Sequence, residues 1–202
     1  MDLTKALTLV KTAKDDPCAL ATLEALIVDA IGIESAKSAG MASIRRVLKK
    51  IITRANRNNP LQPTLHGAWM KDNKQYVSDG WVLVELNTPV PGLPQLTDEV
   101  EPLNAAPAFM GAEDYTEEVP LGPDIKVAYT QAVAAARSNR VELASLYKLG
   151  RSYYQLLLLR DALEALGPDT VARCKPKPNC PCILTSPRGR ALIMHVYTKE
   201  DT

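Results

Sequence analysis

The chain predicts an α+β fold, two helices packed on antiparallel sheet, with an extra helical segment at the N-terminal end. Three observations lead there. Residues 42–57 repeat apolar side chains at three- and four-residue steps, the period of a helix with one buried stripe. After Pro63 the pattern changes to short runs rich in β-branched and aromatic residues, separated by turn residues. The order of helix and then strands appears a second time in the last third of the chain.

Composition sets the frame. At 202 residues the chain can hold one good core, or one domain plus an extension. With 46% apolar and 23% charged residues it belongs with globular proteins. A single Phe and two Trp mean that aliphatic packing dominates. The net charge of +1 carries no information, but its distribution does. From Ser35 to Lys74 the local net charge is +8, and from Glu85 to Asp124 it is −9. Such separation suggests one surface for a polyanion and an acidic segment that faces elsewhere.

Residues 1–34 are expected to form a helical extension. Leu3, Leu7 and Val10 share a stripe, and Asp15-Asp16-Pro17 breaks it. Asp16 can cap a second helix with Pro17 at its first position, running from about Cys18 to Ile31 and stopping at Gly32. Residues 35–202 form the main domain. Ser35 to Gly40 reads as a connector to the helix of residues 42–57. There Ile44, Val47, Leu48, Ile51, Ile52 and Ala55 form the apolar stripe. Arg45, Arg46, Lys49, Lys50, Arg54 and Arg57 fill the opposite half, with no carboxylate among them. Solvated helix faces mix signs, since like charges at these spacings repel. A face of one sign has something anionic to meet, and these six are the candidate DNA-binding residues.

Thr64–Met70, Gln75–Ser78 and Trp81–Leu86 read as a meander of strands, with turns at Lys71-Asp72-Asn73-Lys74 and Asp79-Gly80. About 87–123 is an acidic, Pro-rich insertion with seven of the fifteen prolines, expected as a mobile loop. Ile125–Tyr129 reads as a strand, Gln131–Arg137 as a short helix and Val141–Tyr147 as another strand. Ser152 can cap a helix over Tyr153–Leu166, seamed by Leu156, Leu159, Leu163 and Leu166 and closed by Gly167-Pro168. Tyr154, Leu157 and Leu158 fall off that seam and read either as a contact surface or as residues covered by the N-terminal helices. Thr170–Cys174, Cys182–Ser186 and Arg190–Tyr197 complete the strands.

At this point the residues resemble a family. Pro63-Thr64-Leu65-His66-Gly67, then Ser78-Asp79-Gly80-Trp81-Val82-Leu83, follow the helix as in one domain of the bacterial DNA polymerase III sliding clamp, the beta subunit that confers processivity. The tyrosine-led helix, strand, hairpin and closing strand of residues 153–197 are similar too. The resemblance covers about 42–86 and 124–197. It implies a non-enzymatic DNA-associated protein whose two helices line a pore, with basic residues towards duplex DNA backbone and no sequence reading. The family's subunit carries three such domains and this chain has room for one, so a ring requires self-association through sheet edges. Replication proteins are further partners implied by the likeness. The chain departs from the family at Trp81, in the acidic second helix (Asp161, Glu164), and in Met194-His195, where the family has Met-Pro. The alternative reading is a protein–protein interaction module that keeps the clamp fold without binding DNA. A third is a helical DNA-binding module fused to an unrelated β domain, which predicts two cores.

Other chemistry is weakly signalled. Cys174, Cys180 and Cys182 invite a zinc reading, but zinc pairs are normally two to four residues apart with further ligands. On the strand reading Cys180 and Cys182 share one face of a hairpin. His66 and His195 lie in strand-like runs and read as structural. No phosphate-cradling glycine loop or nucleophile elbow is present, so neither enzyme activity nor a cofactor is expected. No apolar run is long enough for a membrane span. The four Cys, without a secretory signal ahead of them, suggest reduced thiols and a cytoplasmic setting.

Overall fold

The computed structural model describes residue 10 and residues 17–121, 124–139 and 145–197. The expected cap at Asp16, Leu3 and Leu7 of the first stripe, and the start of the strand expected from Val141 lie outside them. The elements are α1 (Pro17–Ser38), α2 (Ala42–Asn58), β1 (Trp69–Lys71), β2 (Lys74–Ser78), β3 (Val82–Leu86), β4 (Glu117–Val119), α3 (Asp124–Asn139), β5 (Leu146–Leu149), β6 (Ser152–Gln155), α4 (Leu156–Leu166), β7 (Val171–Cys174), β8 (Cys182–Ser186) and β9 (Gly189–Ile193). The fold is α+β with a mainly antiparallel sheet. It divides into two compact units, residues 1–46 with 90–93, and residues 47–89 with 94–202. The boundary falls inside α2, which is continuous across it.

In the first unit, α1 does not stop at Gly32 but continues to Ser38, past the boundary expected at residue 34. Gly32 is there for a close approach, not for termination. A Cβ on it would lie 2.7 Å from the Gly92 carbonyl oxygen and 2.9 Å from the Gly92 Cα. The backbones meet where only hydrogen atoms fit. Val90 and Leu93 on either side of Gly92 are buried.

The second unit is built on a seven-stranded antiparallel sheet in the order β1-β2-β3-β9-β8-β7-β4. The expected β1-β2-β3 meander is present, with Trp69 opposite Tyr76 and Tyr76 opposite Glu85. Asp72 and Asn73 at its first turn both have positive φ, as a two-residue hairpin of the right twist requires. Thr64 and Leu65, read as strand, instead lie in a 3-10 turn begun by Pro63.

Side chains alternate across a strand, so the sheet has two distinct faces. One carries Val77, Val84, Leu184, Ala191 and Ile193, all essentially buried, and it bears α4: Ser186 Oγ donates to the Leu166 carbonyl, 3.0 Å. The other carries Tyr76, Leu83 and Ile183 and is covered by Ala105, Phe109 and Tyr115. Those three belong to the acidic segment, which is therefore no mobile loop. Its apolar residues roof the sheet, and β4 at its end pairs with β7 to close one side. Proline spacing and charge hid this, because the docking rests on a few apolar residues, Ala105, Phe109 and Tyr115, scattered without a period. Beneath it, the buried Glu85 accepts two hydrogen bonds from Arg190, each 2.9 Å, and one from Lys74, 2.6 Å. These outweigh the effect of burial and hold its carboxyl below the ordinary value of 4.5.

Two expectations for the last third change. Asp124–Asn139 is one helix, so Ile125–Tyr129 is its first part and not a strand. Ser152 caps nothing. It sits in β6, paired with β5, and α4 starts only at Leu156. Helix α3 packs on α4, with the Arg160 guanidinium 4.0 Å above the Tyr129 ring. No residue of α4 is exposed and Leu158 is buried, while Tyr154 of β6 is buried separately, its hydroxyl donating to the Cys180 carbonyl at 2.8 Å. The reading of Tyr154, Leu157 and Leu158 as a contact surface is corrected: Leu157 is half-buried and the other two are core.

A candidate nucleic-acid interface

Helix α2 forms because its apolar residues recur on one stripe and because Asn59 and Pro60 end it. Val47, Leu48, Ile51 and Ala55 have no exposed surface, and Ile44 and Ile52 almost none, as the periodicity predicts. Burying each large aliphatic there contributes roughly 1.5–3 kcal/mol, so the helix is held rigidly by its core side. Its end is tied down: Asn59 Nδ2 donates to the Asp79 carbonyl at 3.0 Å, and the Asn59 carbonyl meets His66 Nε2 at 2.9 Å.

The six candidate cations separate into two groups. Arg45 is buried, its Nη2 2.6 Å from Asp29 Oδ1 of α1 and its Nε donating to the Gly92 carbonyl at 3.0 Å. Arg54 is 14% exposed, with Nε on Asp79 Oδ2 and Nη1 2.8 Å from Asp161 Oδ2. Burial opposes the charge of Arg54, but Asp79 and Asp161 more than reverse that, and its pKa is raised. These two residues are corrected from the DNA-binding set to internal ion pairs. Helical periodicity put them on the polar half, but could not show that carboxylates distant in sequence meet them at its margins.

Arg46, Lys50 and Arg57 are exposed and Lys49 is half-buried. Within the second unit Lys50, Thr53 and Arg57 follow each other at steps of three and four residues, one row along the helix. The row spans about 10 Å at ~1.5 Å per residue. Lys49 and the exposed Asn56 flank it, and the whole helix contains no Asp or Glu. Arg54 ties α2 to α4, on one face of the sheet, while the acidic segment roofs the other. The charge separation in the sequence is therefore a separation in space within this unit.

Two residues of the site were not recognised from sequence. Thr53 and Asn56 contribute neutral hydrogen-bonding groups to the same surface; helical spacing alone was enough to find them. Trp81 was noted only as a departure from the clamp pattern. It is 51% exposed on the turn before β3, and that turn is bonded to α2 through Asp79.

The cysteines make no comparable site. Cys174 and Cys182 are buried cross-strand partners on β7 and β8, whereas Cys180 lies outside the strand, so the shared hairpin face belongs to a different pair than expected. Burial pushes the Cys174 thiol up to about 11 and the Cys182 thiol well above its ordinary value, the opposite of an activated thiolate. Among the described residues no group of three or more His, Cys, Asp and Glu is placed to hold a metal ion. Also among them, no helix is long and apolar enough to cross a membrane.

Fold and site together define an α+β protein with one rigid, exposed cationic helix face. No family model matches the chain, and no curated protein or solved structure is found to be similar to it.

Proposed function

We propose that this chain is a non-enzymatic DNA-associated protein, a sliding-clamp-like domain that contacts the backbone of duplex DNA through α2 without reading sequence. One observation carries the reading: Lys50 and Arg57 are exposed on a helix that contains no acid, and within their unit the acidic segment roofs the opposite face of the sheet. Exposed cations on a helix without acids suit a phosphate backbone, which supplies anions along its whole length. The clamp likeness rests on the motifs around β1–β3 and α4–β9 and on their order. Only one helix serves as the contact surface here, since α3 covers α4.

The test is binding of random-sequence duplex over a salt series. Each phosphate contact adds about −0.9 to the log–log slope, so the series counts the contacts made. Charge reversal at Arg46, Lys50 and Arg57 together lowers affinity by about 10–100-fold at low salt. Arg54 is left out of that variant because a third carboxylate beside Asp79 and Asp161 would attack the fold. Undetectable duplex binding at low salt sinks the reading.

The second reading, an interaction module that does not bind DNA, is favoured by α1. Leu20, Ile27, Val28 and Ile31 are 44–68% exposed on that helix, an apolar surface of the kind that marks protein contacts. Edge strands β1 and β4 offer a route to self-association and ring closure, for which molar mass in solution is the measurement.

A further inference from the structure

We propose that the face of α2, extended by Trp81, takes single-stranded nucleic acid, with phosphates on the helix and a base stacked on the indole. The inference rests on α2 being a phosphate-contacting surface and names a ligand class beyond duplex DNA. Trp81 has its backbone held on both sides by hydrogen bonds. Its backbone N–H and that of Val82 both donate to Asp79 Oδ1, each at 2.9 Å. The other oxygen of that carboxylate takes Arg54 Nε from α2, and the Asp79 carbonyl takes Asn59 Nδ2 from the helix end. Ser78 Oγ accepts the Gly80 N–H at 3.1 Å and donates to the Val82 carbonyl at 2.9 Å. On the far side the Trp81 carbonyl accepts the Met194 N–H at 2.9 Å.

The turn that carries the indole is thus braced to the C-terminal half of α2, where Arg57 is exposed. About half of the Trp81 surface is left in water, whereas the other tryptophan, Trp69, is 3% exposed in the core cluster. Cations on a helix joined to a turn that carries a half-exposed aromatic supply the two elements that bind single strands without sequence preference, since every base has a stacking face. Duplex DNA keeps its bases stacked on each other and cannot use the indole.

The two tryptophans make the test direct. The full chain is titrated with an oligothymidylate of about 12 nucleotides and with a duplex of equal length, reading tryptophan emission and the anisotropy of a labelled strand. The single strand is expected to quench emission and the duplex to leave it unchanged. Trp81→Ala should weaken single-strand binding by about 10-fold or more while duplex affinity stays the same, and Trp81→Phe should keep most of it. An unchanged urea midpoint shows that the exposed residue was removed without loss of fold. If Trp81→Ala binds the strand as the parent does while Lys50→Glu weakens both ligands, the stacking site is overturned and the phosphate surface stands. If neither ligand binds at low salt, the phosphate surface itself is overturned. If duplex quenches as strongly as single strand, stacking is not the mode of contact.

Discussion

Arg54 shows how a side chain can belong to the charge pattern of a helix and yet not to its surface. Asp79 and Asp161 are each no more than 2% exposed, and the Arg54 guanidinium bridges them, while Arg160 also pairs with Asp161 and two backbone N–H groups donate to Asp79. Arg54→Met should therefore cost about 3–5 kcal/mol in urea denaturation, by removing the cation that the two buried carboxylates share, while Lys50→Met should cost little. Two other residues set the acid response. The buried ring of His195 has no hydrogen-bond partner for either nitrogen among the described residues, and burial lowers its pKa below 6.5. The unfolded chain takes up that proton first, so stability falls as pH drops from about 6.5 towards the folded value. Glu85 acts lower: its folded pKa lies below 4.5, its contribution is complete above that pH, and it is lost as pH falls through the folded value. Unfolding measured at several pH values should show both losses. His195→Gln should remove the first alone and Glu85→Gln should flatten the second.

Helix α2 was legible almost to the residue because everything that makes it is local. The apolar period, the terminating Asn-Asn-Pro and the buried stripe all agree with the structure. The same local reading failed at Gly32. A glycine at the end of an apolar run commonly ends a helix, but here its missing Cβ admits the backbone of Gly92, sixty residues on. Gly32→Ala should cost about 1–3 kcal/mol by overpacking, and should not be rescued by the better helix propensity of alanine. Element α4 failed at its start for a similar reason. Ser152 is a good cap in isolation, but its neighbours pair with β5, and that pairing extends the strand to Gln155. The Ala-rich run of α3 reads as beginning seven residues late because Ile125, Val127 and Tyr129 favour strand by propensity, whereas in the structure Ile125 is buried and Tyr129 packs under Arg160 of α4.

Across the molecule the largest revision concerns the acidic, Pro-rich segment. Phe109 and Tyr115 pack against Trp69, Tyr76 and Leu83, so the segment completes a core that would otherwise open to water. Phe109→Ala should lower stability by about 3–5 kcal/mol and expose the sheet face to hydrophobic dyes, an outcome a mobile loop would not produce. Composition marked the segment as acidic and irregular, and charge counting separated it from α2, although two short 3-10 turns, Ala106–Phe109 and Ala112–Asp114, lie within it. Both are properties summed along the chain, and they survive folding whatever the topology. The α+β class and the identity of the cationic helix belong to the same group, since period and turn chemistry specify them before any distant contact forms. Which of its cations stay in water, where the acidic segment docks and which helix covers α4 depended instead on residues far apart in sequence meeting across the sheet. Burial and ion pairing are pairwise properties of the packed state, and no single stretch of chain contains both partners.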